Sequence, residues 1–161
     1  MWGKVGFCGA WWSGPAVLLG LFEQRLDDKN RVTIPAKLRE HFEDGVVITR
    51  GFDGCLQVFD VTAWGTFCTT ELYRADVMNG EGRQLRRMFE NYATHAELDG
   101  QGRIGIPAHL MTLASLERDV IVAGSGDRLE IWDRDTYRGY IAQMEGRVES
   151  VAERLASEPS R

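Results

Sequence analysis

Cysteine and histidine are scarce in this chain, and neither is spaced for chemistry. The three cysteines, Cys8, Cys55 and Cys68, lie far apart with no C-x-x-C pair. They supply neither a disulfide framework nor a zinc site. His41, His95 and His109 form no H-x-x-x-H pair, so no metal is expected, and the cysteines read as small buried hydrophobes. A chain without covalent staples suits the cytoplasm. No apolar run reaches the roughly 18 residues of a membrane span. There is no G-x-S-x-G and no phosphate loop. The adjacent Asp27 and Asp28 would point apart on an extended chain. No enzyme, cofactor or small-molecule substrate is therefore expected. Positive charge is also short: the net charge is −5. That excludes a protein that coats nucleic acid with its whole surface, but not one with a local basic patch.

What is present is a globular composition, 43% hydrophobic and 27% charged over 161 residues, enough for one ordinary domain or two very small ones. The first twenty residues, MWGKVGFCGAWWSGPAVLLG, have apolar stretches broken by Gly and Pro. They lack the uninterrupted core and cleavage site of a signal peptide. Residues 1–16 are expected to be a disordered leader or an upstream misreading of the start, with the folded protein beginning near Val17.

The main feature is a repeat. Leu26–Arg39 reads LDDKNRVTIPAKLR and Leu98–Met111 reads LDGQGRIGIPAHLM, with seven of fourteen positions identical at an offset of 72. Chance would supply about one identity. The match resumes at an offset of 73, where Val47-Ile48 meets Val120-Ile121 and Gly51, Leu56 and Asp60 meet Gly124, Leu129 and Asp133. The duplicated units are expected at 21–63 and 93–136, with linking helices at 64–92 and a C-terminal helix and tail at 137–161. Each unit reads as strand, polar turn, strand, short helix and two further strands. Pro35 and Pro107 suit a first helical position.

Between the units, Trp64, Phe67, Cys68 and Leu72, then Leu85, Met88, Phe89 and Tyr92, carry helical spacing. Asn79-Gly80-Glu81-Gly82 separates them. At the end, Tyr137, Ile141, Met144, Val148, Val151 and Leu155 form a narrow seam along one helix, for its own core or for a neighbouring subunit.

In each copy an Asp opens the turn and can accept a hydrogen bond from a backbone N–H two residues on. An Arg four residues later enters the next strand. Asp27–Arg31 and Asp99–Arg103 then have two readings. They buttress the turn, within one unit or across an interface, as bidentate Arg–carboxylate pairs do; or the turn is a tip carrying cations to a phosphate backbone. Charge separates the copies. Arg25, Lys29, Arg31, Lys37 and Arg39 give the stretch 25–39 a net charge of +3, whereas 97–111 has −1. The first unit therefore looks like a contact surface and the second like the partner that completes the fold. A short hairpin is only marginally stable by itself, so the two copies are expected to pack on each other as an internal pseudo-dimer.

LDDKNRVTIPAKLR, its second copy LDGQGRIGIPAHLM and the strand pair ending GDRLEIWD resemble the MraZ family of bacterial proteins over roughly Val17 to Tyr140. That resemblance implies an α+β, mainly β, fold of two AbrB-like swapped-hairpin units. It also implies a ring-shaped homo-oligomer, and transcriptional regulation through repeated double-stranded DNA sites ahead of the division and cell-wall gene cluster, at the nucleoid. The family's D-x-x-x-R motif falls on Asp27, Arg31, Asp99 and Arg103, and its DNA contact on the first turn, at Lys29 and Arg31. Arg31→Ala is then expected to remove specific binding and leave assembly intact. Asn30 stands where that turn usually has Gly, Gly105 where a side chain is typical, and His109 and Met111 replace the Lys and Arg of the first copy. The alternative reading is a protein-interaction or antitoxin-like module of the same fold.

Overall fold

Strand alternation decides how the repeat closes. Val32 and Ile34, and in the second copy Ile104 and Ile106, are buried, while Arg31 and Arg103 are half-buried on the opposite side. Neither hairpin can cover such a face alone, and each finds its cover in the other unit. The computed structural model describes residues 17–157. The expected leader at 1–16 and the last residues of the tail lie outside that range.

The first unit contains β1 (Leu21–Arg25), β2 (Arg31–Thr33), a 3-10 helix (Ala36–Phe42), β3 (Val46–Arg50) and β4 (Leu56–Asp60). It is followed by α1 (Val61–Phe67), a π turn (Cys68–Leu72) and α2 (Gly80–Glu90). The second contains β5 (Thr94–Ala96), β6 (Arg103–Gly105), α3 (Ala108–Leu113), β7 (Asp119–Gly124) and β8 (Leu129–Asp133). It ends in α4 (Arg134–Glu145) and α5 (Val148–Ser157).

The strands interlock. A six-stranded sheet runs β1-β7-β8-β4-β3-β5, and β2 pairs with β6 in a separate ribbon. The first strand of each unit thus lies against the third strand of the other, which is a reciprocal swap. Exchanging the two units reverses the strand order onto itself, so the chain has an internal twofold axis. That axis passes the Val32–Ile104 pair in the ribbon and the Gln57–Glu130 pair between β4 and β8. One apolar core, including Ile34, Phe42, Ile48, Leu110, Val122 and Ile131, fills the space between sheet and ribbon.

The register corrects the alignment read from sequence. Val46 and Ile48 face the core, as do Val120 and Val122. Val47 pairs with His95 of β5, as Ile121 pairs with Glu23 of β1. Val47 therefore corresponds to Ile121, and the slip is two residues, not one. The connection from β7 to β8 is one residue shorter than that from β3 to β4, which restores Leu56 to Leu129. The near-identical Val-Val-Ile and Val-Ile-Val runs hid the difference, because shifting either by one leaves an equally apolar match.

Other expectations shift at their ends. Pro35 and Pro107 sit one residue before their helices, in extended backbone. Asn79 does not merely interrupt: its side chain accepts from the Glu81 N–H at 3.0 Å and caps α2. The C-terminal seam is not one helix. It breaks at Gly146, so α4 and α5 are separate. Tyr137 and Tyr140 of α4 cover Trp132, Ile121 and Cys55 on the outer face of the sheet. The equivalent face of the first unit, around Phe59, is covered by α1, the π turn and Phe89 of α2. Among the described residues no helix is long and apolar enough to cross a membrane, and no group of three or more His, Cys, Asp or Glu is placed to hold a metal.

Candidate nucleic-acid interface

The two D-x-x-x-R turns are the same object built twice. In the first, Asp27 Oδ1 accepts the backbone N–H of Lys29 and of Arg31, both at 2.9 Å, and Oδ2 accepts Arg31 Nε at 2.7 Å. In the second, Asp99 Oδ1 accepts the N–H of Gln101 at 2.9 Å and of Arg103 at 3.0 Å, and Oδ2 accepts Arg103 Nε at 2.8 Å. Asn30 and Gly102 close the turns with φ of 56° and 73°. Asn tolerates that region and Gly enters it freely. Gly102 answers a second demand, since a Cβ there would fall on the Arg39 side chain.

The turns then join. Arg103 Nη1 reaches Asp27 Oδ2 at 3.5 Å, and Arg31 Nη1 reaches Asp99 Oδ2 at 3.8 Å. Four residues from two distant parts of the chain form one alternating ring of charge. The backbone N–H of Arg31 leads in holding the Asp27 carboxyl below its usual range, and that of Arg103 takes Asp99 down to about 2. Desolvation opposes both shifts, and the guanidinium partners add to them. This is the buttress reading of the motif, realised across the interface between units. Arg31 is therefore not a free arm, although its side chain remains 31% exposed.

The remaining basic residues divide in the same way. Arg39 is turned inward, with Nε donating to the Ile34 carbonyl at 2.8 Å. Lys37 is exposed and lies over the Phe22 ring, 4.8 Å from its centroid. Lys29 is exposed at the tip of the turn, and no ion pair engages it among the described residues. Arg25 pairs with Asp119 at 3.3 Å, and Arg134 of α4 joins the same carboxylate at 3.1 Å. Phe22 and Arg25 alternate to opposite faces of β1, so Arg25 belongs to the α4 side and is not grouped with Lys37. One cation escaped the sequence reading. Arg118 of the second unit comes within 3.8 Å of Asp28 beside the first tip, because its carbonyl accepts the Leu26 N–H at 2.9 Å. Nothing local marks Arg118; only the pairing of β1 with β7 brings it there.

A chain of two tandem units whose hairpins are exchanged and whose D-x-x-x-R turns lock together is a fused swapped-hairpin dimer. Family comparison agrees with that geometry. The family described as "MraZ protein, putative antitoxin-like" matches residues 17–88 and again 88–158, and the chain belongs to this family. A protein of Natranaerobius thermophilus named transcriptional regulator MraZ is 34% identical over 139 residues, covering 86% of this chain and 96% of its own. Proteins of the same name from Kineococcus radiotolerans and Heliobacterium modesticaldum are 40% and 37% identical. The first of these alignments spans 80% of this chain and 90% of the relative, and the second 86% and 96%.

Proposed function

We propose that this protein is a transcriptional regulator that binds repeated double-stranded DNA sites ahead of the division and cell-wall gene cluster. In this reading it acts at the nucleoid as a ring-shaped homo-oligomer. The observation that carries it is the inequality of two otherwise matching turns. One frame is built twice, but the first tip carries exposed Lys29 next to the half-exposed Arg31, where the second tip has the neutral Gln101. Arg118 adds a further cation from the second unit. Rigid cations at a tip engage phosphates, and a guanidinium or ammonium can then read guanine edges in the major groove. A ring arrays several such tips, so weak single contacts combine through effective concentration. The acidic remainder of the surface limits non-specific adhesion.

The test is a gel shift with the DNA upstream of the protein's own gene against a scrambled duplex. Preference for the upstream duplex, with affinity falling about a thousandfold between ~50 and ~200 mM salt, is the expected result. Equal binding to both duplexes removes sequence specificity from the reading. The family's antitoxin-like description favours a second reading, a protein-interaction module. It predicts no retention of DNA at any modest salt.

A further inference from the structure

Among the described residues, no other element buries α5. It has ten residues and none is buried. Isolated helices of fewer than about 12–15 residues are marginal in water, so this one needs something to lie against. Its residues are patterned for that. Val148, Val151 and Leu155 recur at i, i+3 and i+7, with Val148 and Leu155 57% and 60% exposed. Glu149 flanks the stripe on one side and Arg154 on the other, while Glu153 lies on the opposite face. Among the described residues, no hydrogen bond or ion pair joins α5 to another element.

The repeat shows what is missing. α2 ends the first matched segment as α5 ends the second. α2 is seated on its sheet: Phe89 is buried, and its carbonyl accepts the Thr49 hydroxyl at 2.8 Å. α5 occupies the corresponding place in the sequence and buries no residue.

A seat of matching character is exposed elsewhere. Two adjoining cavities of about 220 and 360 Å³ share Phe52, Leu85 and Phe89 and form one groove beside α2. Phe52, Leu85 and Met88 are open to solvent there. Arg50 and Asp53 border the groove, and neither has an ion pair among the described residues. Glu71 and Arg128 also line it, Arg128 being paired with Asp127. An apolar groove whose charges without an ion pair among the described residues are Arg50, Asp53 and Glu71 thus matches an apolar stripe with a carboxylate on one flank and a cation on the other.

Resting on the oligomer reading above, we propose that α5 of one copy docks in the Phe52–Leu85–Met88 groove of the next. Helix and groove are different surfaces, so the contact is head-to-tail and generates a closed ring if the rotation closes. α5 is about 15 Å long and inserts Val151 and Leu155 toward Phe52 and Leu85. Glu149 turns toward Arg50, and Arg154 toward Asp53.

Sedimentation of the intact protein at micromolar concentration tests this, with Leu155→Glu beside the parent. The parent sediments as a multiple of the 18.2 kDa chain, and the variant requires at least about tenfold more protein to assemble, since a buried leucine is lost. A parent that stays a single chain at every concentration overturns the oligomer reading and this contact together. A variant that assembles as readily as its parent overturns this contact alone. Because a charge in the groove could disturb the fold, the groove is mapped without one. A photoreactive group at position 155 of isotope-labelled chains, mixed with unlabelled chains, should crosslink to unlabelled peptides containing Phe52 or Leu85. Crosslinks confined within one chain, or directed to another surface, overturn the proposal.

Discussion

At the scale of the residue, the four-membered ring of Asp27, Arg31, Asp99 and Arg103 carries two predictions. Both aspartates have folded-state values below their ordinary one, and Asp99 titrates near 2. Their contribution to stability is therefore complete above the ordinary carboxylate range and is lost as pH falls through about 4 toward 2. Melting temperature should drop over that window, and Asp99→Asn should flatten the drop; an unchanged profile would mean that the ring does not stabilise the fold. The second prediction separates Lys29 from Arg31. Lys29→Ala should leave the melting temperature unchanged, weaken binding to upstream DNA and reduce the slope of log affinity against log salt by about 0.9. Arg31→Ala should lower the melting temperature as well as the affinity, because it leaves two half-buried carboxylates short of a partner. Loss of DNA binding with full stability would restore Arg31 as a free arm and contradict the ring geometry. The motif was legible in the sequence because Asp, Arg and a residue tolerant of positive φ recur at fixed spacing. Which side chains stay free was not, since Arg31 and Arg103 are each engaged by the aspartate of the other, distant turn.

At the scale of the element, Asp60 and Asp133 do a job that repeat spacing alone did not disclose. Asp60 accepts the Ala63 N–H at 2.8 Å at the start of α1, and Asp133 accepts those of Asp135 and Thr136 at the start of α4. Both are N-caps, placed where a strand turns directly into a helix. Asp133→Ala should cost about 1 kcal/mol, a fall of roughly 2–4 °C in melting temperature for a chain of this size. Differential scanning calorimetry reads it directly, and a change below half a degree would show that α4 is held by Tyr137 and Tyr140 alone. Strand and helix positions were readable because periodicity of two and of 3.6 is imposed by a single core. The two-residue slip in β7 was not, because an all-apolar run carries no phase. The break at Gly146 was hidden by a heptad-like seam that continues across it in sequence but not in space.

At the scale of the molecule, the exchange of strands makes the two units one cooperative body. A fragment ending at residue 92 lacks both the β7 that flanks β1 and the β6 that completes β2. It should be unfolded as a monomer by circular dichroism and regain structure on mixing with a fragment from 93 onward, or by pairing with a second copy of itself. A folded monomeric fragment would deny the swap. The existence of two mutually dependent copies was legible from their length and from the marginal stability of a lone hairpin, whereas which strand crosses to which sheet edge is decided by backbone pairing that side-chain pattern does not encode. The same crossing sets a schedule during synthesis. Leu21 pairs with Ala123 and Arg25 with Asp119, so the earliest strand cannot find its neighbour until about a hundred further residues have left the ribosome. At roughly 5–20 residues per second the nascent first half waits several seconds with an apolar face uncovered, and any slowing of translation between the two copies lengthens the interval in which a chaperone, rather than the chain itself, must shield it.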